Sequence, residues 1–175
     1  MAYNILTIRD AVAYQLQQAN TTTATYPSGG LSAGITATGI LTDGNIIKGR
    51  PSKTSNTMDR FPLVWVSLDE DSESIAQMGQ GAQRQFEGKI AITAACKAPP
   101  TADYAHTEAE DAMATLCGNI RTALRNAINL MNTTTATVSY SVPETVEYNV
   151  SIEGMGEGTY VSAGKISLKF ETFST

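Results

Sequence analysis

Between Phe61 and Met131 the apolar positions of the chain change their period twice. First comes a continuous apolar run, Phe61-Pro62-Leu63-Val64-Trp65-Val66-Ser67-Leu68, of the kind expected for a central strand buried on both faces. Pro62 fits only at the start of such a strand, because it has no N–H for the ladder. From Gln85 to Cys96 the pattern alternates. Phe86, Ile90, Ile92, Ala94 and Cys96 fall on one face, and Gln85, Glu87, Lys89 and Thr93 on the other. The period then lengthens. Ala109, Ala112, Met113, Leu116, Cys117, Ile120, Leu124, Ala127, Ile128 and Met131 recur at helical spacing and form one stripe. Thr107 and Glu110 have the spacing of a capping box. Glu108, Glu110 and Asp111 stand at the positive end of the helix dipole, and Arg121 and Arg125 towards the negative end. Such a helix is about 25 residues and roughly 37 Å long. One apolar stripe of that length needs a sheet or other helices to cover it.

Two more alternating runs follow the helix: Val138, Tyr140 and Val142, then Val146, Tyr148, Val150 and Ile152. The Pro143-Glu144 break between them reads as a hairpin. Gly154, Gly156 and Gly158 mark a turn before a last strand from about Thr159 to Phe173, with Ile166, Leu168 and Phe170 inward and Lys165, Lys169 and Glu171 outward. At the N-terminus, Ile8, Val12, Leu16 and Ala19 make one helical stripe that Thr7 can cap. The expected order is α, insertion, β, β, α, β, β, β. Two helices against a largely antiparallel sheet make an α+β fold.

The insertion, residues 20–60, differs from the rest. It is rich in Thr, Ser, Gly and Asn, with Thr21-Thr22-Thr23 and Ser28-Gly29-Gly30 as low-complexity patches. A structureless loop of about 40 residues inside a compact domain is unusual. Ile35–Leu41, a turn at Asp43-Gly44 and Asn45–Lys48 read as a β-hairpin arm that reaches a neighbour; the alternative is an extended surface loop. Arg50, Lys53 and Arg60 make its end mildly basic.

Asp69-Glu70-Asp71-Ser72-Glu73 is the densest charge run. Three readings stand side by side: a solvated loop closing a buried strand, an electrostatic surface that lines a pore or meets a basic partner, and a cation site built from Asp69, Asp71 and Glu73. The last lacks the glycine and the spacing of a calcium loop.

Composition narrows the classes. The chain has 175 residues, the size of a single domain spanning 1–175. A hydrophobic share of 42% can fill a core. The net charge of -5 argues against sequence-independent clamping of nucleic acid, which needs a basic face. No stretch approaches the roughly 20 apolar residues of a membrane span, and the first residues have no signal-peptide pattern. Cys96 and Cys117 both fall on core faces. They read as buried free thiols of a reducing cytoplasm, with a disulfide between them as the alternative. Their spacing is not that of a zinc site.

Nothing in the sequence composes a catalytic site, a cofactor site or a metal site. His106 is the only histidine, so it would have to be the base of any Ser-His or Cys-His arrangement. It lies just before the expected helix cap, where polar residues are ordinary. No G-x-S-x-G surrounds a serine. Gly79-Gln80-Gly81 lacks the third glycine of a dinucleotide loop and leads into a strand. The expectation is a protein that is not an enzyme and uses no cofactor.

The order of elements carries a resemblance. Thr7-Ile8-Arg9-Asp10-Ala11-Val12 opens a short helix. Phe61-Pro62-Leu63-Val64-Trp65-Val66 ends in the acidic run, and Gln85-Phe86-Glu87-Gly88-Lys89-Ile90-Ala91-Ile92 follows. The long helix contains Ile120-Arg121-Thr122-Ala123-Leu124, and the closing strands end in Ala163-Gly164-Lys165-Ile166-Ser167-Leu168-Lys169-Phe170. This pattern resembles the tail terminator, or tail completion, proteins of tailed bacteriophages. It covers about 135 residues, everything outside the insertion, and consists of element order with loose local similarity. The insertion departs from the compact family pattern and keeps a head–tail connector or neck ring component as a related alternative.

The resemblance implies a structural virion protein, assembled in the host cytoplasm and located in the tail or neck. Such proteins form a homo-oligomeric ring, commonly a hexamer, on the tail tube protein. They end tube polymerisation and offer the surface to which the head joins through a neck or connector protein. DNA passes through the lumen without being specifically bound, and no membrane is involved. Asp69, Glu70, Asp71 and Glu73 are the candidate lumen or interface surface, since like charge repels phosphates. A ring closes by rotating heterologous faces onto one another. A different class, a monomeric binding module, would present an exposed aromatic cluster, whereas most aromatics here fall on core-facing strand positions.

Overall fold

The computed structural model describes residues 4–20, 30–35, 41–52, 60–75, 84–98, 104–125, 140–149 and 161–174. They form helix α1 (Ile5–Asn20), strand β1 (Ile46–Lys48), β2 (Leu63–Ile75), β3 (Arg84–Lys97), helix α2 (Ala105–Arg125), β4 (Tyr140–Tyr148) and β5 (Val161–Ser174). The strands make a five-stranded sheet in the order β1-β2-β3-β5-β4. Only the β1–β2 pair is parallel; the others are antiparallel. The fold is α+β.

Both helices cover one face. Ile8, Val12 and Leu16 of α1 and Met113, Leu116, Cys117 and Ile120 of α2 are buried against Val64, Val66, Ile90, Ile92, Ile166, Leu168 and Phe170. Each large side chain buried there contributes about 1.5–3 kcal/mol relative to exposure. The expected stripes hold as far as Leu124; Ala127, Ile128 and Met131 lie outside the described residues. Trp65 belongs to the opposite face, in a smaller cluster with Leu63, Ala95 and Ala163. Two buried faces explain why β2 opens as a continuous apolar run.

Helix caps differ from expectation. Asn4 caps α1: its side-chain Oδ1 accepts from Leu6 N–H at 2.9 Å and its carbonyl from Thr7 N–H at 3.0 Å. Thr7 thus lies inside the first turn. Helix α2 begins earlier than the capping-box spacing of Thr107 and Glu110 suggests. Glu108 N–H donates to Tyr104 O at 3.0 Å, which closes the first turn ahead of Thr107.

The described parts of residues 20–60 fold into the body of the protein. Leu31, Leu41 and Ile46 are core. Asn119 of α2 donates through Nδ2 to the carbonyls of Leu31 and Ala33, both at 2.9 Å. Asn45, itself buried, donates to Arg60 O at 2.7 Å and Pro62 O at 3.1 Å. Asp43–Asn45 is a 3-10 turn, and Ile46–Lys48 joins β2 in parallel instead of returning as a hairpin strand. The other expected arm, residues 36–40, lies outside the described residues, as does the glycine-marked turn at 154–158.

Two further corrections concern strands. The Pro143-Glu144 break is no hairpin. It is a bulge within β4, which pairs with β5 from Tyr140 to Tyr148. Proline is tolerated there because β4 is an edge strand. The acidic run is no loop either. β2 continues through Ile75, with Glu70 to Ile75 paired to Lys89 back to Arg84.

Candidate functional site

The candidate residues Asp69, Glu70, Asp71 and Glu73 therefore sit on the outer strand of a ribbon that β2, β3 and β5 extend past the helices' cover. Every residue from Leu68 to Ser74 is exposed. A bulge places Asp69 as an extra residue between the pairs Leu68–Ile90 and Glu70–Lys89. It also shifts the side-chain phase. Before it, Val64 and Val66 face the helices; after it, Asp71 and Glu73 take that phase, opposite Gly88 and Phe86. The four carboxylates are thus dealt to both faces instead of forming one acidic surface.

Each has a local partner. Glu70 meets Lys89, its cross-strand neighbour, at 2.7 Å. Asp69 reaches Lys165 of β5 at 3.3 Å, and Arg84 Nη1 donates to Glu73 Oε1 at 2.6 Å. Asp71 is also engaged within the chain. Further along the face, Glu87 and Lys169 stand 3.9 Å apart. A hydrogen bond from Lys89 to Glu70, with the attraction of its charge, holds the Lys89 ammonium above its ordinary range. Opposite charges on adjacent strands stabilise a pairing register. The acidic run is therefore matched across the ribbon by cations of β3 and β5. Outward Lys89, Lys165 and Lys169 were legible from the alternation; which carboxylate each one meets was not.

Two glycines in the same strands were missed. A side-chain carbon at Gly88 would lie 2.5 Å from Glu70 O and 2.7 Å from the Phe170 ring. One at Gly164 would lie 2.7 Å from Met113 Sδ and 2.8 Å from Cys117 Sγ. Gly88 lets an aromatic ring close over the ribbon's root, and Gly164 lets α2 approach the sheet. The glycines in otherwise alternating strands were the available signal.

Glu70, Asp71, Glu87, Lys89, Glu144 and Lys169 line an open groove of about 370 Å³. Its walls are charged and mutually paired, unlike the mostly apolar walls of small-molecule sites. Among the described residues, no group of three or more His, Cys, Asp or Glu could hold a metal ion. The bulge separates Asp69 from Glu73, and each has its own cation, so the trio Asp69, Asp71 and Glu73 does not converge.

His106 falls in the first turn of α2, exposed, beside a small cleft shared with Glu110, Asn149 and Ser162. The Ser162 hydroxyl donates to Asn149 Oδ1 at 3.4 Å. Cys96 and Cys117 are both free and buried. Burial pushes the Cys117 thiol up to about 12, against a smaller opposing pull from Arg121. A thiol held neutral in this way is a packing group and a poor nucleophile. Among the described residues, no helix is long and apolar enough to cross a membrane.

Comparison of the chain with protein-family models gives no match, and neither does comparison with curated proteins.

Proposed function

We propose that the protein is a structural subunit of a phage tail, a ring-forming terminator that caps the tail tube and offers the surface for head joining. The observation that carries this reading is the element order: a short helix, a paired β2–β3 ribbon, a long helix on the same face and two closing antiparallel strands. That order is the one the family resemblance implies. The described parts of residues 20–60 pack into the core, so they add to the scaffold without changing its layers. In this reading the protein is not an enzyme and works stoichiometrically. Ring closure uses up one kind of subunit face and leaves a cap with no further tube-binding surface.

The outer part of the sheet, where β2, β3 and β5 run on together, is the element best placed to project from such a ring. β2 carries four carboxylates and no basic residue. Its neighbours answer with Lys89, Lys165 and Arg84. A lumen bordered by this ribbon would present alternating charge with carboxylates in excess. DNA would slide past such a wall without being held, since repulsion and attraction alternate over a few ångströms and salt screens both.

Deleting the gene in its virus and imaging the particles tests the proposal. Overlong or headless tails are the expected result. Tails of normal length joined to heads would sink it. Sizing of the purified protein with short tail tubes should give a closed ring on the tube end.

A further inference from the structure

We propose that the outward stripe of α2 docks onto the same stripe of a second copy of this chain, the two helices running antiparallel about a two-fold axis. Thr107, Asp111, Ala114, Gly118, Arg121 and Arg125 recur every three or four residues along α2. They therefore lie on one side of the helix, roughly 27 Å from end to end. That side is turned away from the sheet: Thr107, Asp111, Ala114, Gly118 and Arg125 are exposed, and Arg121 is half-buried. Ala114 and Gly118 form its middle. Glycine within a helix is unfavourable beside alanine. The chain's own packing does not ask for this one, because a side-chain carbon at Gly118 would meet nothing within 4 Å among the described residues. At Gly88 and Gly164 the same carbon would clash. What a bare helix surface at Gly118 permits is the close approach of another backbone.

The charges on the stripe select the occupant. Glu110 and Asp111 stand towards its N-terminal end, Arg121 and Arg125 towards its C-terminal end. Unlike the acids of β2, none of these four forms an ion pair among the described residues. The Nε of Arg121 is buried with no hydrogen-bond partner. A buried donor left unmet is costly, and a carboxylate drawn alongside the guanidinium is the group that completes it. A two-fold axis at the level of Leu116 sets Ala114 of one copy opposite the partner's Gly118. The same axis sets Asp111 opposite the partner's Arg121, and Thr107 opposite the partner's Arg125. Acid then meets cation once on each side of the axis, with the small residues at the crossing. Parallel packing would set Asp111 against Asp111 and Arg121 against Arg121. The contact is isologous, unlike the heterologous contact that closes a ring, so it does not rest on the terminator reading.

Sedimentation equilibrium of the full chain at low salt tests the contact. Asp111→Arg and Arg121→Asp are each run alone and then as an equal mixture. Either variant alone sets like charges together on both sides of the axis and should weaken self-association at least tenfold. In the mixture each charge meets its opposite, so association should return to the wild-type strength. Gly118→Leu should also weaken association at least tenfold while leaving the melting temperature of the monomer unchanged or raised, since leucine favours the helix and has room there. A wild-type chain that stays monomeric up to millimolar concentration would overturn the proposal, as it would if a segment of the same chain covered the stripe. So would a mixture that associates no better than its components, or a Gly118→Leu protein that associates like the wild type. A ring closed through other faces would survive all three variants, so failure of this contact and failure of the terminator reading give different results.

Discussion

The ring of Phe170 lies over Gly88, its directly paired residue across β3 and β5, so closely that an added side-chain carbon would meet the ring at 2.7 Å. The same carbon would meet the backbone oxygen of Glu70 at 2.5 Å, and a backbone atom cannot rotate aside. Gly88→Ala should therefore destabilise the protein by about 1–3 kcal/mol, the usual cost of overpacking. Chemical denaturation measures it; a change near zero would mean that the ribbon's root is not packed as described.

Gly164 poses a related clash with a different remedy. Its close neighbours are side chains, Met113 Sδ and Cys117 Sγ. Gly164→Ala should destabilise less than Gly88→Ala, because methionine adapts readily. Adding Cys117→Ala should recover part of the loss. A double-mutant cycle in urea would show this as a coupling that favours the pair; strictly additive effects would contradict the contact.

Cys117 should make stability fall with alkaline pH. Its folded pKa is raised from about 9 to about 12, so between those values the folded thiol stays protonated while the unfolded one ionises. The unfolded state then binds fewer protons, and the stability present below pH 9 is lost as pH rises through that window. Cys117→Ala should flatten this part of the profile in melts from pH 8 to 11. Neither thiol should react with a thiol reagent in the native protein, and both should react after unfolding.

Asn119 ties α2 to the 30–35 segment by two hydrogen bonds to carbonyls, at Leu31 and Ala33. Asn119→Ala should free that segment locally, at a total cost of about 1–3 kcal/mol for the carbonyls left unsatisfied. Hydrogen exchange should show faster opening near Leu31–Ile35 than in the strands of the sheet. Uniformly faster exchange would show instead that the segment opens only with the whole protein.

Neutralising Asp69, Glu70 and Glu73 together should leave folding intact, since each pair is exposed and an exposed pair adds little to stability. Far-ultraviolet dichroism should be unchanged, while, under the proposed function, assembly onto tail tubes should weaken. Global unfolding would show that the ribbon's charges hold the fold.

Both helices were legible because their stripes face a sheet and repeat faithfully, Ile8-Val12-Leu16 in one and Met113-Ile120-Leu124 in the other. Their starts were not, because a cap is one local hydrogen bond, and Asn4 competes with Thr7 for it. The outer half of β2 gave no strand signal since neither of its faces is buried, so Asp69 to Ser74 had no reason to alternate. Pro143 was misleading for the opposite reason. It is a strong breaker in a central strand and harmless on the outer side of β4. Strand β1 is three residues long and sits among Thr, Gly and Asn, too short for any period to show. Of the candidate residues, the identities were readable and the pairing was not, because Lys165 and Asp69 are neighbours only through β3.

The extra residue at Asp69 lets β2 change its sequence phase while the sheet keeps its pairing. Ahead of it the even-numbered residues take the helix-facing phase and past it the odd-numbered ones do, yet Glu70 still stands opposite Lys89 and Ile75 opposite Arg84. Loss of Asp69 would join Leu68 to Glu70 in an unbroken ladder with the same partners and remove one carboxylate from the surface. A relative of this chain could thus drop or gain a residue here without re-registering the strands on either side.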